Sequence, residues 1–285
     1  MAELKRVLVT GATGNVGGQV VAQLRGTGVA VRALARKPES ADLPEGVEVV
    51  RGDLGDASTL DAALEGVDAV FLVWPFFTTE AAPAVLEAIG RHARRVVYLS
   101  ASGVRDDGST DGEGIVFHAE MERLIKGSDL EWTMLRPAGF ATNALMWAPQ
   151  TREGDVVRWI YGDARRSLIH EADIAAVAVR ALTEDGHHGA RYHLTGPEAL
   201  TQVEQVEAIG KAVGRPVRWE EMSRVAAREY LLAHGWPEAF VTGALDAWAG
   251  LVDHPEPVTS TVEQVTGVPA RTFHQWAVDH AADFR

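Results

Sequence analysis

The stretch Val7-Leu8-Val9-Thr10-Gly11-Ala12-Thr13-Gly14-Asn15-Val16-Gly17 decides how this chain folds. Its apolar, mostly β-branched opening reads as a strand over 7–10, and the pattern that follows reads as a helix over 16–25. Between them glycine recurs every third residue. Gly11 permits a tight turn, Gly14 lets backbone amides approach a diphosphate with no Cβ in the way, and Gly17 lets the helix lie close on the strand. Such a turn aims the first N–H groups of a helix at an anion. Gly11, Thr13, Gly14, Asn15, Val16 and Gly17 are therefore the expected pyrophosphate cradle of a bound dinucleotide.

Outward from that loop, short β-branched runs alternate with helical patterns. Strands are expected at 29–35, 47–51, 69–73, 96–100 and 132–135, with helices at 59–64, 80–92 and 115–126 between them, the first of these capped by Ser58. This order is that of an α/β protein with a Rossmann-type, doubly wound parallel sheet. Beyond Arg136-Pro137 the regularity weakens, then a helix at 172–182 and a strand at 191–194 resume it. Helical patterns at 202–213, 225–234, 239–251 and 271–284 fill the remainder. The expected division is a nucleotide-binding domain over 1–150 with a return segment at about 171–196, and a smaller, mainly helical substrate domain over 151–170 and 197–285.

Composition narrows the function. Forty acidic against 27 basic residues give a net charge of -13, which repels a nucleic-acid backbone, and no dense Lys/Arg run opposes it. The absence of cysteine excludes disulfides, thiolate nucleophiles and Cys-ligated metals. No apolar run approaches the ~20 residues of a membrane helix, and the opening residues lack a secretory pattern. The expectation is a cytoplasmic protein, monomeric or homodimeric, with a small-molecule substrate and no membrane or nucleic-acid partner.

Which nucleotide binds is read at the end of the second strand, Ala35-Arg36-Lys37-Pro38. An acid there would take the ribose 2′-hydroxyl of NAD(H). Two adjacent cations instead favour the 2′-phosphate of NADP(H), although Arg36 and Lys37 could also be a solvated surface pair. Arg32 alternates with Arg36 and reads as an exposed face. Asp53, after the third strand, is by its chemistry equally a turn or capping residue. Residues following the strands line the crevice where ligands bind in such sheets: Val73, Trp74, Phe76 and Phe77 after the fourth, Ser100 after the fifth, Pro137 and Phe140 after the sixth. Of these, Val73, Trp74, Ser100, Pro137 and Phe140 are assigned to the cofactor's nicotinamide side. Trp74, Phe76, Phe77, Phe140 and Trp147 form the expected substrate pocket, an apolar slot suited to a flat acceptor or else core between the domains.

The loop TGATGNVG (10–17) resembles that of extended and atypical short-chain dehydrogenase/reductases, with G-x-x-G-x-x-G spacing. VRALARKP (31–38), RGDL (51–54), VVYLSASGV (96–104), LEWTMLRPAGFATN (130–143), IHEADIAAVAVRAL (169–182), YHLTGPEALT (192–201) and TSTVEQVTGVPARTFHQWAVDH (259–280) are similar to the NmrA-like branch. The resemblance spans nearly the whole chain. It implies an NADPH-dependent reductase of a quinone, azo dye, triphenylmethane dye or related compound, or a redox sensor that binds the nucleotide without turnover. It also implies that Asp53 and Leu54 line the adenine. The Tyr-x-x-x-Lys pair of the wider superfamily is absent, which disfavours a sugar-nucleotide epimerase. His118 falls where isoflavone-type reductases place a lysine, so His118, with Glu122 one turn later holding its other ring nitrogen and Ser100 nearby, is the expected catalytic set. His118 could instead contact only the nicotinamide ribose, and Glu122 could pair with Lys126. A metal centre is not expected, because no third ligand stands at suitable spacing.

Overall fold

A computed structural model describes residues 4–285 and divides the chain into two compact units: Met1–Pro137 with Glu171–Leu194 and Gln264–Gly267, and Ala138–His170 with Thr195–Glu263 and Val268–Arg285. The chain first changes unit after Pro137, earlier than the boundary at 150 expected from sequence.

In the first unit the order is β1 (Arg6–Val9), α1 (Asn15–Leu24), β2 (Ala30–Ala35), β3 (Glu48–Arg51), α2 (Asp61–Leu64), β4 (Ala69–Leu72), α3 (Ala82–His92), β5 (Arg95–Leu99), α4 (Val116–Lys126) and β6 (Glu131–Pro137). The chain then enters the second unit as α5 (Ala148–Glu153), β7 (Val156–Trp159) and β8 (Arg165–Arg166), and returns to the first as α6 (Glu171–Thr183) and β9 (Arg191–Leu194). Seven strands pair in the order β3-β2-β1-β4-β5-β6-β9, every pair parallel. The order reverses between β1 and β4, and a ligand crevice forms at such a switch point.

Side chains alternate across each strand, so Leu8, Val70, Leu72, Val96, Tyr98 and Met134 pack with Leu64, Val85, Ile89, Met121 and Ile125 in one core layer. On α4, His118, Met121, Glu122 and Ile125 fall at the i, i+3, i+4, i+7 spacing of one helical face. Two polar groups thus share a stripe with two apolar ones that are fully buried. Both must find partners in the sheet.

Two local readings are corrected. Asp56, rather than Ser58, caps the turn before α2: its Oδ1 accepts from the Ser58 amide at 3.1 Å and from the Ser58 hydroxyl at 2.6 Å. Arg32 is buried, not exposed, because Glu48 takes its guanidinium through two bonds of 2.9 Å and the Ala63 and Glu65 carbonyls take the rest.

The second unit continues with β10 (Leu200–Thr201), α7 (Gln202–Val213), β11 (Arg218–Glu221), α8 (Arg224–Ala233), α9 (Glu238–Asp253), α10 (Thr261–Thr266), whose last residues fall to the first unit, and α11 (Phe273–Asp279). Two small sheets accompany its helices, β7 parallel to β11 and β8 antiparallel to β10. Trp147, Trp159, Ile209, Leu231, Phe273 and Trp276 build its core. No helix among the described residues is long and apolar enough to cross a membrane.

Candidate active site

The cradle sits at the carboxyl end of β1. Gly11 has φ +61, a left-handed conformation that an L side chain rarely adopts, and a Cβ there would meet Val73 at 3.1 Å. At Gly17 a Cβ would lie 2.1 Å from the Gly11 carbonyl oxygen, so only glycine allows α1 to start this close to the strand. Gly14 is the N-cap of α1 and supplies no side-chain bond, and no acid occupies the first turn. The first amides of the helix, at Asn15 and Val16, are left for an external acceptor, and Thr13, Gly14 and Asn15 are exposed. Glycine without a cap, at a switch point, fits a diphosphate. Thr10 braces the loop by donating to the Val73 carbonyl at 3.1 Å and accepting from the Val73 amide at 2.7 Å.

Arg36 and Lys37 lie exposed just past β2, and neither side chain bonds a described residue. Arg51, at the end of β3, donates to the Arg36 carbonyl at 3.0 Å and to Glu39 at 3.2 Å, holding the backbone of this corner. Sequence reading did not single out Arg51; its place on the strand adjoining β2 was the available signal. Asp53 Oδ1 accepts from the Gly55 amide at 2.8 Å, a turn-forming bond that leaves the other carboxylate oxygen uncommitted. Leu54 is buried, 7% exposed, in the core layer described above.

A buried polar network joins β5, α4 and β6. Glu122 and Arg136 are both inaccessible to solvent and form a two-pronged pair, Nε to Oε1 at 2.8 Å and Nη2 to Oε2 at 2.7 Å. The Ser100 hydroxyl donates to Glu122 Oε1 at 2.7 Å, and Lys126 Nζ stands 3.7 Å from Oε2. Arg136 reaches on to Asp106 at 2.8 Å, on the loop after β5. The Asp106 carboxyl is held below its usual range by this hydrogen bond. Pro137 accepts from the Ser102 amide at 3.0 Å and fixes the start of the same loop.

Glu122 was expected to orient His118. It does not, because its carboxylate is saturated by Arg136 and Ser100. His118 Nδ1 instead bonds the Tyr98 hydroxyl at 2.7 Å. Burial pushes the His118 imidazole down to about 4, against the upward pull of the Glu122 charge, and burial followed by the same charge raises the Tyr98 phenol well above its ordinary value. Ser100 has likewise committed its proton to a carboxylate, so toward a ligand it can only accept.

The expected pocket residues separate. Trp74 is buried, 6% exposed, donates its indole N–H to the Thr78 carbonyl at 2.8 Å and meets Phe76 edge-on at 5.2 Å. Phe77 is 77% exposed and lies edge-on to Phe117 at 5.7 Å, whose ring centroid is 4.1 Å from that of His118. Phe140 and Trp147 belong to the second unit. Trp147, 3% exposed, meets Trp219 edge-on at 6.0 Å and is a core residue there, a correction to its assignment as pocket lining. Phe140 forms a bridge with Ile169 and is partly buried. Among the described residues no group of three His, Asp or Glu side chains converges as a metal site would require.

A seven-stranded parallel sheet in this order, with an uncapped glycine loop at its switch point, defines a dinucleotide-binding protein of the Rossmann type. A family described as NAD(P)H-binding matches residues 11–185. The chain is 42% identical to the (4-alkanoyl-5-oxo-2,5-dihydrofuran-3-yl)methyl phosphate reductase of Streptomyces griseus, over 98% of this chain and 99% of that protein. It is 34% identical to the NAD(P)H azoreductase of Xenophilus azovorans, over 98% and 99%. The NADPH-dependent quinone oxidoreductase of Escherichia coli, solved in complex with NADPH, shares 26% identity and a TM-score of 0.80, over 96% of this chain and 99% of that one. The chain belongs to the NAD(P)H-binding family and is an NAD(P)H-dependent oxidoreductase of the NmrA-like, atypical short-chain type.

Proposed function

We propose that this oxidoreductase uses NADPH in preference to NADH and reduces a small aromatic, quinonoid or conjugated carbonyl compound. Nucleotide preference rests on Arg36 and Lys37, two exposed cations with no bonded partner among the described residues, at the strand end where a 2′-phosphate is recognised. When bound, the reduced nicotinamide supplies the hydride. Gly11, Thr13, Gly14, Asn15, Val16 and Gly17 hold the diphosphate, Asp53 and Leu54 border the adenine, and Val73, Ser100 and Pro137 border the nicotinamide.

The observation that carries the substrate class is the aromatic row Phe77, Phe117 and His118, which begins at a ring left 77% exposed. An exposed phenylalanine edge-on to a second ring offers a flat acceptor an apolar surface, with a histidine at its far end. The Streptomyces griseus relative supports the conjugated carbonyl class, since its named substrate is an acyl-bearing oxo-dihydrofuran. In this reading His118 faces the acceptor oxygen.

Purified protein mixed with NADPH and a panel of quinones, azo dyes and acyl-substituted unsaturated lactones tests the proposal. Acceptor-dependent loss of the reduced-nicotinamide absorbance is the expected result. Tight NADPH binding with no turnover of any acceptor would replace the reductase by a redox sensor, a reading that the missing Tyr-x-x-x-Lys pair favours.

A further inference from the structure

His118 and Tyr98 come from different elements, the first turn of α4 and the penultimate residue of β5, and they meet inside one unit. The Tyr98 ring is fully buried among Leu72, Val96, Met121 and Met134, with its hydroxyl 2.7 Å from His118 Nδ1. A buried phenol O–H needs an acceptor, and His118 Nδ1 is the one that the described residues offer it. Were Nδ1 the donor, the phenol proton would be stranded in an apolar layer. The proton between them therefore belongs to the tyrosine, Nδ1 is the bare nitrogen, and the neutral ring carries its hydrogen on Nε2. That nitrogen bonds no described residue, on a ring that is partly exposed.

From this geometry we infer that Tyr98 is a positioning residue: its hydroxyl locks His118 as the Nε2–H tautomer, which makes His118 a neutral hydrogen-bond donor to the acceptor oxygen. The inference rests on the reading that His118 faces that oxygen. Groups around the pair agree with it. Glu122, on the same helix, is occupied by Arg136 of β6 and Ser100 of β5 and does not compete for the ring. Burial keeps the imidazole uncharged at neutral pH. Loss of the Nε2 proton would leave a negative charge on the ring or, by transfer through Nδ1, on the Tyr98 phenol, and burial opposes both, so the proton that completes the reduction comes from solvent water. His118 contributes a fixed dipole where negative charge develops.

Long-range proton–nitrogen correlation spectra of the full-length, nitrogen-15-labelled protein test this, with the His118 signals assigned by their loss in His118→Gln. The expected wild-type spectrum has a bare Nδ1 and a protonated Nε2, unchanged as the pH passes through 6.5, the ordinary histidine value. Tyr98→Phe keeps the ring that fills the core; it should mix the two tautomers and lower kcat about tenfold, the effect of one lost hydrogen bond, at unchanged KM for NADPH. A proton on Nδ1 in the wild type, or a charged ring at pH 7, overturns the inference without recourse to any variant. So does a Tyr98→Phe spectrum identical to wild type. A changed tautomer with unchanged kcat also removes the positioning role, while leaving the reductase reading intact. If the wild type turns over no acceptor, the reductase reading and with it the donor role of His118 are lost, and the ring-nitrogen spectra still decide whether Tyr98 sets the tautomer.

Discussion

A buried histidine that resists protonation leaves a signature in stability. The His118 imidazole titrates near 4 in the folded chain against 6.5 when exposed, so between these values the unfolded chain takes up a proton that the folded one refuses. Stability from this group is intact above pH 6.5 and falls as the pH drops toward 4, by about 3 kcal/mol at full effect. His118→Gln keeps an acceptor for Tyr98 and removes the titration. Its urea midpoint should therefore fall less than that of the wild type between pH 6.5 and 4.5. Parallel falls would mean that the ring protonates freely in the folded state. At Gly17 the argument is steric. Alanine there would place a methyl 2.1 Å from a backbone oxygen, and the helix would have to lift off the strand. Gly17→Ala should lose about 3 kcal/mol or more and weaken both NADPH and NADH, because the whole amide cradle moves. Unchanged affinity for both nucleotides would take the loop out of the binding site.

Element packing puts the Glu122–Arg136 pair where neither charge meets water, so each depends on the other. Arg136→Met should strand the carboxylate and cost about 3–5 kcal/mol by denaturant titration, whereas adding Glu122→Gln should recover part of that loss. A double variant as weak as the single one would show that the pair is not coupled. The contrast between this network and the glycine loop explains what the sequence disclosed. The loop is local: Gly11, Gly14 and Gly17 lie within one turn and its helix, and their spacing carries the geometry. The strands of the main sheet were equally legible because runs such as Val96-Val97-Tyr98-Leu99 are apolar on both faces, as buried parallel strands must be. The partners of Glu122 and His118 were not, since Ser100, Arg136 and Tyr98 stand 14 to 22 residues away and meet them only after β5, α4 and β6 have packed. In the same way β7 and β11 escaped notice: they pair across about 60 positions, and Arg218–Glu221 carries three charged residues in four, as an exposed segment would. Trp147 read as pocket lining because aromatic content shows how much apolar surface a segment carries, not which element covers it.

For the whole molecule, the acidic excess sets a background against which a local cation pair can be tested. A net charge of -13 repels an anionic nucleotide, yet the corner after β2 presents Arg36 and Lys37 without neutralising partners among the described residues. Binding to the folded state alone raises stability by about 2.7 kcal/mol at a ligand concentration one hundred times Kd. In a chain of this size that corresponds to a Tm shift of roughly 4–5 °C. NADPH should therefore raise Tm more than NADH at equal concentration, and added salt should narrow the gap by screening the 2′-phosphate contact. Arg36→Ala should shrink the NADPH shift toward that of NADH while leaving the NADH shift in place, because the diphosphate cradle at α1 is untouched. Equal losses for the two nucleotides would assign Arg36 to the shared part of the cofactor, and equal wild-type shifts would remove the preference for NADPH altogether.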